Sequence, residues 1–273
     1  THFSLFTGIG GIDLAAEWAG FKTVGQCEWA DYPTKVLEKH WPNIERWRDV
    51  RSVTVEDVRS RGIKEITLLS GGFPCQPHSV AGERKASDDE RDLWPENRRI
   101  ISELKPKWYL GENVSGLLSS ENGRFFGRVL RDLAELGYSV GWGCFPAYAV
   151  GAVHERERIF LLAYSGCELI TQPIFSGDSG KSKKRNKRKE IWCKNWFVDK
   201  MGPKVVKRIR LWETELAQPK LVRMDDGFSS GVDRLKCLGN AVVPQQVYPI
   251  LQAIADIERR AVYGEVNNET NSF

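Results

Sequence analysis

The stretch Phe3-Ser4-Leu5-Phe6-Thr7-Gly8-Ile9-Gly10-Gly11-Ile12-Asp13-Leu14-Ala15-Ala16-Glu17-Trp18-Ala19-Gly20 decides the fold. Phe3 to Phe6 read as a short buried strand, the glycines as a tight turn, and Ile12, Ala15, Ala16 and Ala19 as the apolar face of a helix that Gly20 stops. Strand, Gly-rich turn and helix, in that order, open an α/β domain. Asp13 stands where the dinucleotide fingerprint would have its third glycine, which disfavours a pyrophosphate reader. The next strand, Thr23 to Cys27, ends in Glu28 and Trp29, a carboxylate for ribose hydroxyls and a ring to stack on a base. Asp49 follows a third short segment and could accept from an adenine amino group. Alone each signal is weak, since Gly-rich turns are common and Trp29 reads equally as core.

Two later segments carry reactive groups. Ile66 to Ser70 reads as an apolar strand running into Gly71-Gly72-Phe73-Pro74-Cys75-Gln76-Pro77. The glycines allow close approach and the prolines fix the backbone on both sides of the sulfur, as a positioned nucleophile requires. A small buried hydrophobe is the ordinary fate of a free cysteine, and the segment alone leaves the two readings balanced. Lys107 to Leu110 reads as another strand, followed by Gly111-Glu112-Asn113-Val114. If the two strands are parallel neighbours, Cys75 and Glu112 share the carboxyl edge where open α/β sheets bind ligands. Without Cys75, Glu112 would read as a solvated acid or a helix cap.

Together, and in this order, these segments resemble the DNA (cytosine-5)-methyltransferase family, of bacterial or phage type. Phe6-Thr7-Gly8-Ile9-Gly10-Gly11 is similar to its first cofactor motif, Pro74-Cys75-Gln76 to its nucleophile motif and Glu112-Asn113-Val114 to its catalytic acid motif. Arg156-Glu157-Arg158 is similar to its paired-arginine motif, and Gly239-Asn240-Ala241-Val242 to the late motif that returns to the cofactor site. The likeness covers residues 3–160 and 232–260. It departs at His154, where the family usually has Gln, which leaves the role of His154 open.

The resemblance implies an S-adenosylmethionine-dependent methyltransferase with a Rossmann-like doubly wound α/β sheet and a second, smaller target-recognition domain. S-adenosyl-L-methionine would be the methyl donor, S-adenosyl-L-homocysteine the product, and a cytosine in double-stranded DNA the acceptor. Cofactor contacts would come from Phe6, Gly8, Ile9, Gly10, Gly11, Glu28, Trp29, Asp49, Val50, Pro74, Asn240, Ala241 and Val242. Substrate contacts would come from Gln76, Ser79, Arg84, Lys85, Arg91 and Asn113, with residues 76–91 as a closing loop. Cys75 would add to carbon 6 of the cytosine and Glu112 would bond or protonate ring nitrogen 3. Arg158 would hold the exocyclic oxygen, while Arg156 orients Glu112. The base must leave the helical stack first, at a cost of a few kcal/mol.

Composition agrees with this class. A chain of 273 residues with 41% hydrophobic content can bury one large core plus a small appended domain. The six cysteines form no Cys-x-x-Cys pair and do not cluster with the four histidines, so neither zinc nor a disulfide framework is indicated, and no metal is expected. A reducing cytoplasmic setting is expected. So are the lack of a secretory signal, of any apolar run near the ~20 residues that span a bilayer, and of solenoid repeats. A monomer is expected.

Positive charge is concentrated in one segment. Residues 165–231 hold 15 Lys or Arg against 8 Asp or Glu, whereas the rest of the chain holds 25 against 28. The run from Lys181 to Lys189 has seven basic residues in nine, and Trp192, Trp196, Phe197 and Trp212 follow it. Such a run suits phosphate contacts, though without DNA it reads better as a disordered, solvated insertion; the tryptophans read best as a small core. The expected organisation is a catalytic domain over residues 1–164, recognition domain over 165–231, a return to the first domain over 232–262 and a flexible tail over 263–273. Helices are expected over Asp31–Trp41, Thr54–Arg61 and Glu121–Leu136, and an amphipathic one through Val247, Leu251, Ile254 and Ile257. Three competing readings remain: a tRNA cytosine-5 methyltransferase, a non-catalytic DNA-binding regulator on the same fold, and, weakest because of Asp13, an NAD-dependent oxidoreductase.

Overall fold

A computed structural model of the chain describes residues 1–74, 92–166 and 240–269. Cys75, Gln76, Ser79, Arg84, Lys85, Arg91, the recognition domain from residue 167 onward and residues 232–239 lie outside the described residues.

The strands are β1 His2–Leu5, β2 Thr23–Cys27, β3 Glu45–Trp47, β4 Leu68–Gly71, β5 Trp108–Val114, β6 Ser139–Phe145 and β7 Arg158–Tyr164. They form one sheet in the order β3-β2-β1-β4-β5-β7-β6. β1 to β5 are parallel, and β7 is antiparallel to both β5 and β6. The helices are α1 Gly11–Trp18, α2 Asp31–His40, α3 Val55–Ser60, α4 Trp94–Leu104, α5 Arg124–Glu135 and α6 Pro244–Glu269.

Strand alternation divides the core between the two faces of the sheet. Phe3, Leu5, Leu69, Tyr109, Ile159 and Leu161 point toward α3, α4 and α5, where they meet Val58, Ile100, Ile101, Phe125, Val129 and Leu133. Leu68, Trp108, Leu110, Phe160 and Leu162 point the other way and meet Ile12, Ala15, Ala16 and Ala19 of α1 together with Val247, Leu251 and Ile254 of α6. The apolar stripes expected on α1 and α6 are therefore the buried ones, and the carboxy-terminal helix packs onto the first domain. The small side chains of α1 let α6 lie close beside it.

The order reverses between β1 and β4, so the carboxyl ends of β1, β2, β4 and β5 border a switch point, where such sheets bind ligands. Three boundaries differ from the sequence reading. β5 runs to Val114 instead of Leu110, because β7 pairs along its whole length, from Trp108↔Tyr164 to Val114↔Arg158. Gly111-Glu112-Asn113 has poor strand propensity, which the partner strand overrides. α5 begins at Arg124, since Glu121, Asn122 and Gly123 have φ of 49°, 59° and 84°, left-handed backbone that cannot start a right-handed helix. The α6 backbone continues to Glu269, into the stretch 263–273 that the sequence reading set aside as a tail, since extending a nucleated helix costs little.

Candidate active site

The Gly-rich turn after β1 is built by backbone that only these residues tolerate cheaply. Gly8 and Gly10 have φ of 58° and 84°, the left-handed region. A methyl on Gly10 would lie 2.5 Å from the Trp41 ring, whereas one on Gly8 would meet nothing within 4 Å. Gly8 thus faces open space at the mouth of the switch point. Phe6 just before it also has positive φ, at 52°, a local strain of the kind found where a loop is shaped for a ligand. The turn is tied to the end of β2: Thr7 N donates to Cys27 O over 3.0 Å, and Gly8 N donates to Glu28 Oε2 over 2.7 Å. Ala30 N donates to the other Glu28 oxygen at 2.8 Å.

Glu28, Gly8 and the Trp29 ring, which is 70% exposed, therefore lie along one edge. Asp49 is partly exposed and takes the Arg51 N–H at 2.9 Å, while Val50 beside it turns its side chain into the core. Of that pair only Asp49 offers a side chain to a ligand, so the contact expected of Val50 would have to come from its backbone. Asp13 lies beneath the turn, fully buried, and accepts from Ser4 Oγ at 2.9 Å and Gln26 Nε2 at 3.0 Å. Burial pushes its carboxyl up to about 6, against the pull of those two bonds. Its place in the fold is structural, which explains why a glycine is not required there.

β4 and β5 are parallel neighbours, with Gly71 opposite Gly111, so the segment entering Cys75 and the carboxylate of Glu112 share one edge. A methyl on Gly72 would lie 3.1 Å from Glu112 Oε2, so this glycine gives the carboxylate its room. Asn113 is 5% exposed and spends its amide within the protein: Nδ2 donates to Phe73 O at 2.9 Å and Oδ1 accepts from Val114 N at 2.9 Å. It anchors the backbone that leads to Cys75, whereas the sequence reading expected it to contact substrate. Cys27, buried, has a thiol pushed up to about 12 and is no nucleophile.

Glu112 is 8% exposed and pairs with Arg158, whose Nε stands 3.1 Å from Oε1. The register explains the pair. Arg158 lies opposite Val114 and Phe160 opposite Glu112, so Arg158 and Glu112 are diagonal neighbours on one sheet face. Burial pushes the Glu112 carboxyl up to about 7, although Arg158 and Arg156 both pull it down. The Arg156 guanidinium donates instead to Ala241 O, and Arg156 has φ of 28°. The arginine in contact with the Glu112 carboxylate is thus Arg158, whereas the sequence reading gave the orienting role to Arg156. His154 is exposed.

The late segment closes the site from behind. A methyl on Gly11 would lie 2.3 Å from Val242 O, so Ala241 and Val242 run directly over the start of α1. Asn240 is exposed, while Pro74, Ile9, Ala241 and Val242 are half-buried. Sequence reasoning missed Gln246, which is 3% exposed on α6 and donates from Nε2 to Phe145 O at 2.8 Å and Arg156 O at 3.1 Å. The one signal for it was a polar residue on the face that Val247 and Ile250 bury. Among the described residues no group of three or more His, Cys, Asp or Glu could hold a metal, and no helix is long and apolar enough to cross a membrane.

A seven-stranded sheet with one antiparallel strand inserted near its edge, an open Gly-rich turn after β1 and an acid after β2 are the features of the Rossmann-like methyltransferase fold. The profile of the family described as C-5 cytosine-specific DNA methylase matches residues 1–195, and the chain belongs to that family. The Type II methyltransferase M.BsuFI of Bacillus subtilis is 34% identical over 165 residues, 60% of this chain and 39% of the relative. M.FnuDI of Fusobacterium nucleatum is 31% identical over 191 residues, 69% of this chain and 54% of the relative. A solved structure described as a DNA modification methyltransferase encoded within an E. coli prophage superposes with a TM-score of 0.53 at 26% identity, over 60% of this chain and 46% of that one. The chain thus spans about half the length of these relatives, or less.

Proposed function

We propose that the protein transfers a methyl group from S-adenosylmethionine to carbon 5 of a cytosine flipped out of double-stranded DNA. The observation that carries this reading is the buried Glu112, paired with Arg158 and set against Gly72 in the segment that runs from β4 to Cys75. The residues fit the cofactor: Gly8 leaves space for a ligand, Glu28 is oriented for hydroxyl groups, and the Trp29 ring is open for stacking. When bound, it supplies an electrophilic methyl group on a sulfonium.

The remaining chemistry falls to the chain. Carbon 5 of cytosine is a poor nucleophile until the ring is activated. The Cys75 thiolate adds to carbon 6. Glu112, ionising near 7, can carry a proton at neutral pH and donate it to ring nitrogen 3, which draws electrons away from carbon 6. Arg158 keeps the Glu112 carboxyl aimed and, with Arg156, gives the pocket a positive potential that suits an exocyclic oxygen. After carbon 5 takes the methyl group, water takes the carbon 5 proton, the electron pair left behind expels the Cys75 thiolate, and ring nitrogen 3 returns its proton to Glu112. Asn113 holds the backbone before Cys75 while the thiolate forms and breaks its bond. Family membership supports DNA as substrate, and the relatives named as Type II methyltransferases support a place in restriction-modification.

The test is transfer of a labelled methyl group from the cofactor to unmethylated genomic DNA, with tRNA in a parallel reaction. Label on carbon 5 of cytosine in DNA alone is expected. DNA substituted with 5-fluorocytosine should in addition trap a covalent complex through Cys75, since fluorine cannot leave as a cation. Label in tRNA alone would reassign the substrate, and no label in either would refute the reading.

A further inference from the structure

Phe145 ends β6 and Arg158 begins β7, so residues 146–157 form the connection that delivers the paired arginines. This connection is cross-braced near its base, where Ala147 N donates to Glu155 O over 2.6 Å. Its last turn holds Arg156 at φ 28°, a conformation that a non-glycine residue keeps only where its surroundings over-determine it. Those surroundings include the first turn of α6. Gln246 donates two hydrogen bonds from one nitrogen, to Phe145 O at 2.8 Å and to Arg156 O at 3.1 Å, and so grips both ends of the connection. Arg156 returns a bond from its guanidinium to Ala241 O. Gln246 Oε1 is buried with no hydrogen-bond partner among the described residues. An amide kept there despite that desolvation cost is kept for what its nitrogen does.

We infer that Gln246 is a positioning residue for the paired arginines, holding Arg156 and Arg158 over Glu112 from the segment that also covers the Gly-rich turn. The inference rests on the proposed methyl transfer for its kinetic test only. Val242 lies on Gly11 and Gln246 sits four residues further on, so one short piece of chain braces the cofactor turn at one end and the base-activating pair at the other. Removing the amide releases Arg156 O and Phe145 O while leaving the contact on Gly11 in place. The base side of the site should fail and the cofactor side should not.

The experiment compares wild type with Gln246→Met, which keeps length and volume but donates nothing, and with Gln246→Asn, which is too short to reach both carbonyls. All are first shown by thermal melting to be folded at the assay temperature. For Gln246→Met the single-turnover methylation rate is expected to fall about 10²-fold, as misplaced groups typically cause, with the cofactor Kd changed by less than about twofold. Gln246→Asn should fall between. Independently of turnover, the carbon-13 signal of the Glu112 carboxyl should titrate at higher pH in Gln246→Met, because Arg158 and Arg156 are the charged groups that hold it down. A lowered rate with the Glu112 titration unmoved, or both unchanged, would overturn the inference. If wild type methylates nothing, the proposed function fails, and the Glu112 titration alone decides the role of Gln246.

Discussion

Replacing Glu112 by Gln should stabilise the fold in a pH-dependent way while disabling the chemistry. The Glu112 carboxyl ionises near 7 in the folded protein against 4.5 for the free side chain, chiefly because it is buried. Below pH 4.5 it is protonated whether the chain is folded or not, and contributes nothing. Between 4.5 and 7 the folded state binds more protons than the unfolded one, so stability falls as pH rises, and above 7 the loss is complete. Each pKa unit corresponds to about 1.4 kcal/mol, so the ionised carboxylate costs the fold about 3 kcal/mol at pH 8. Gln mimics the protonated form at every pH, and its oxygen can still accept from Arg158. Glu112→Gln should therefore match wild type near pH 4.5 and exceed it by about 3 kcal/mol at pH 8. Urea midpoints of both proteins at the two pH values measure this. Taking the difference removes His2, lowered by burial to about 3, and Asp13, raised to about 6, which titrate in both proteins. A difference that does not vary with pH, or a Gln variant that is less stable at pH 8, would refute the burial argument. The same variant should slow single-turnover methylation by about 10²-fold or more, as losing a positioned acid does.

Three further outcomes are expected. Gly11→Ala puts a methyl 2.3 Å from Val242 O and should cost about 1–3 kcal/mol in a urea titration while weakening cofactor binding; an unchanged midpoint would show that the late segment does not lie on α1. Cys75→Ser should abolish methyl transfer but leave the cofactor Kd near wild type, since an alcohol is a far weaker nucleophile than a thiolate at neutral pH; substantial turnover would remove Cys75 from the mechanism. Replacing the seven basic residues of 181–189 by Ser or Gln should lower the slope of log affinity against log salt by about 0.9 for each phosphate no longer neutralised, without changing which cytosine is methylated. An unaltered slope would make the run a spectator, and a new target would place specificity within it.

What could be read along the chain is what short-range chemistry sets. The turn over Gly8 and Gly10 needs left-handed backbone, the small residues of α1 mark a helix buried against another, and Cys75 between two prolines follows an apolar strand. Each is legible from a few neighbouring residues, because glycine conformation, side-chain periodicity and proline geometry act over that range. The partners came from the folded chain. That Glu112 belongs to β5 followed from the pairing of β7 along it, and that Arg158, not Arg156, lies on Glu112 followed from the register Val114↔Arg158. Asn113 turned inward to Phe73 O and Val50 turned into the core, neither of which their places in the motifs could reveal. Gln246 became part of the site only when α6, some ninety residues along the chain, was laid under the arginine connection. A hydrogen bond or an ion pair forms where two groups meet in space, and for groups so far apart in sequence that meeting is set by strand register and helix packing.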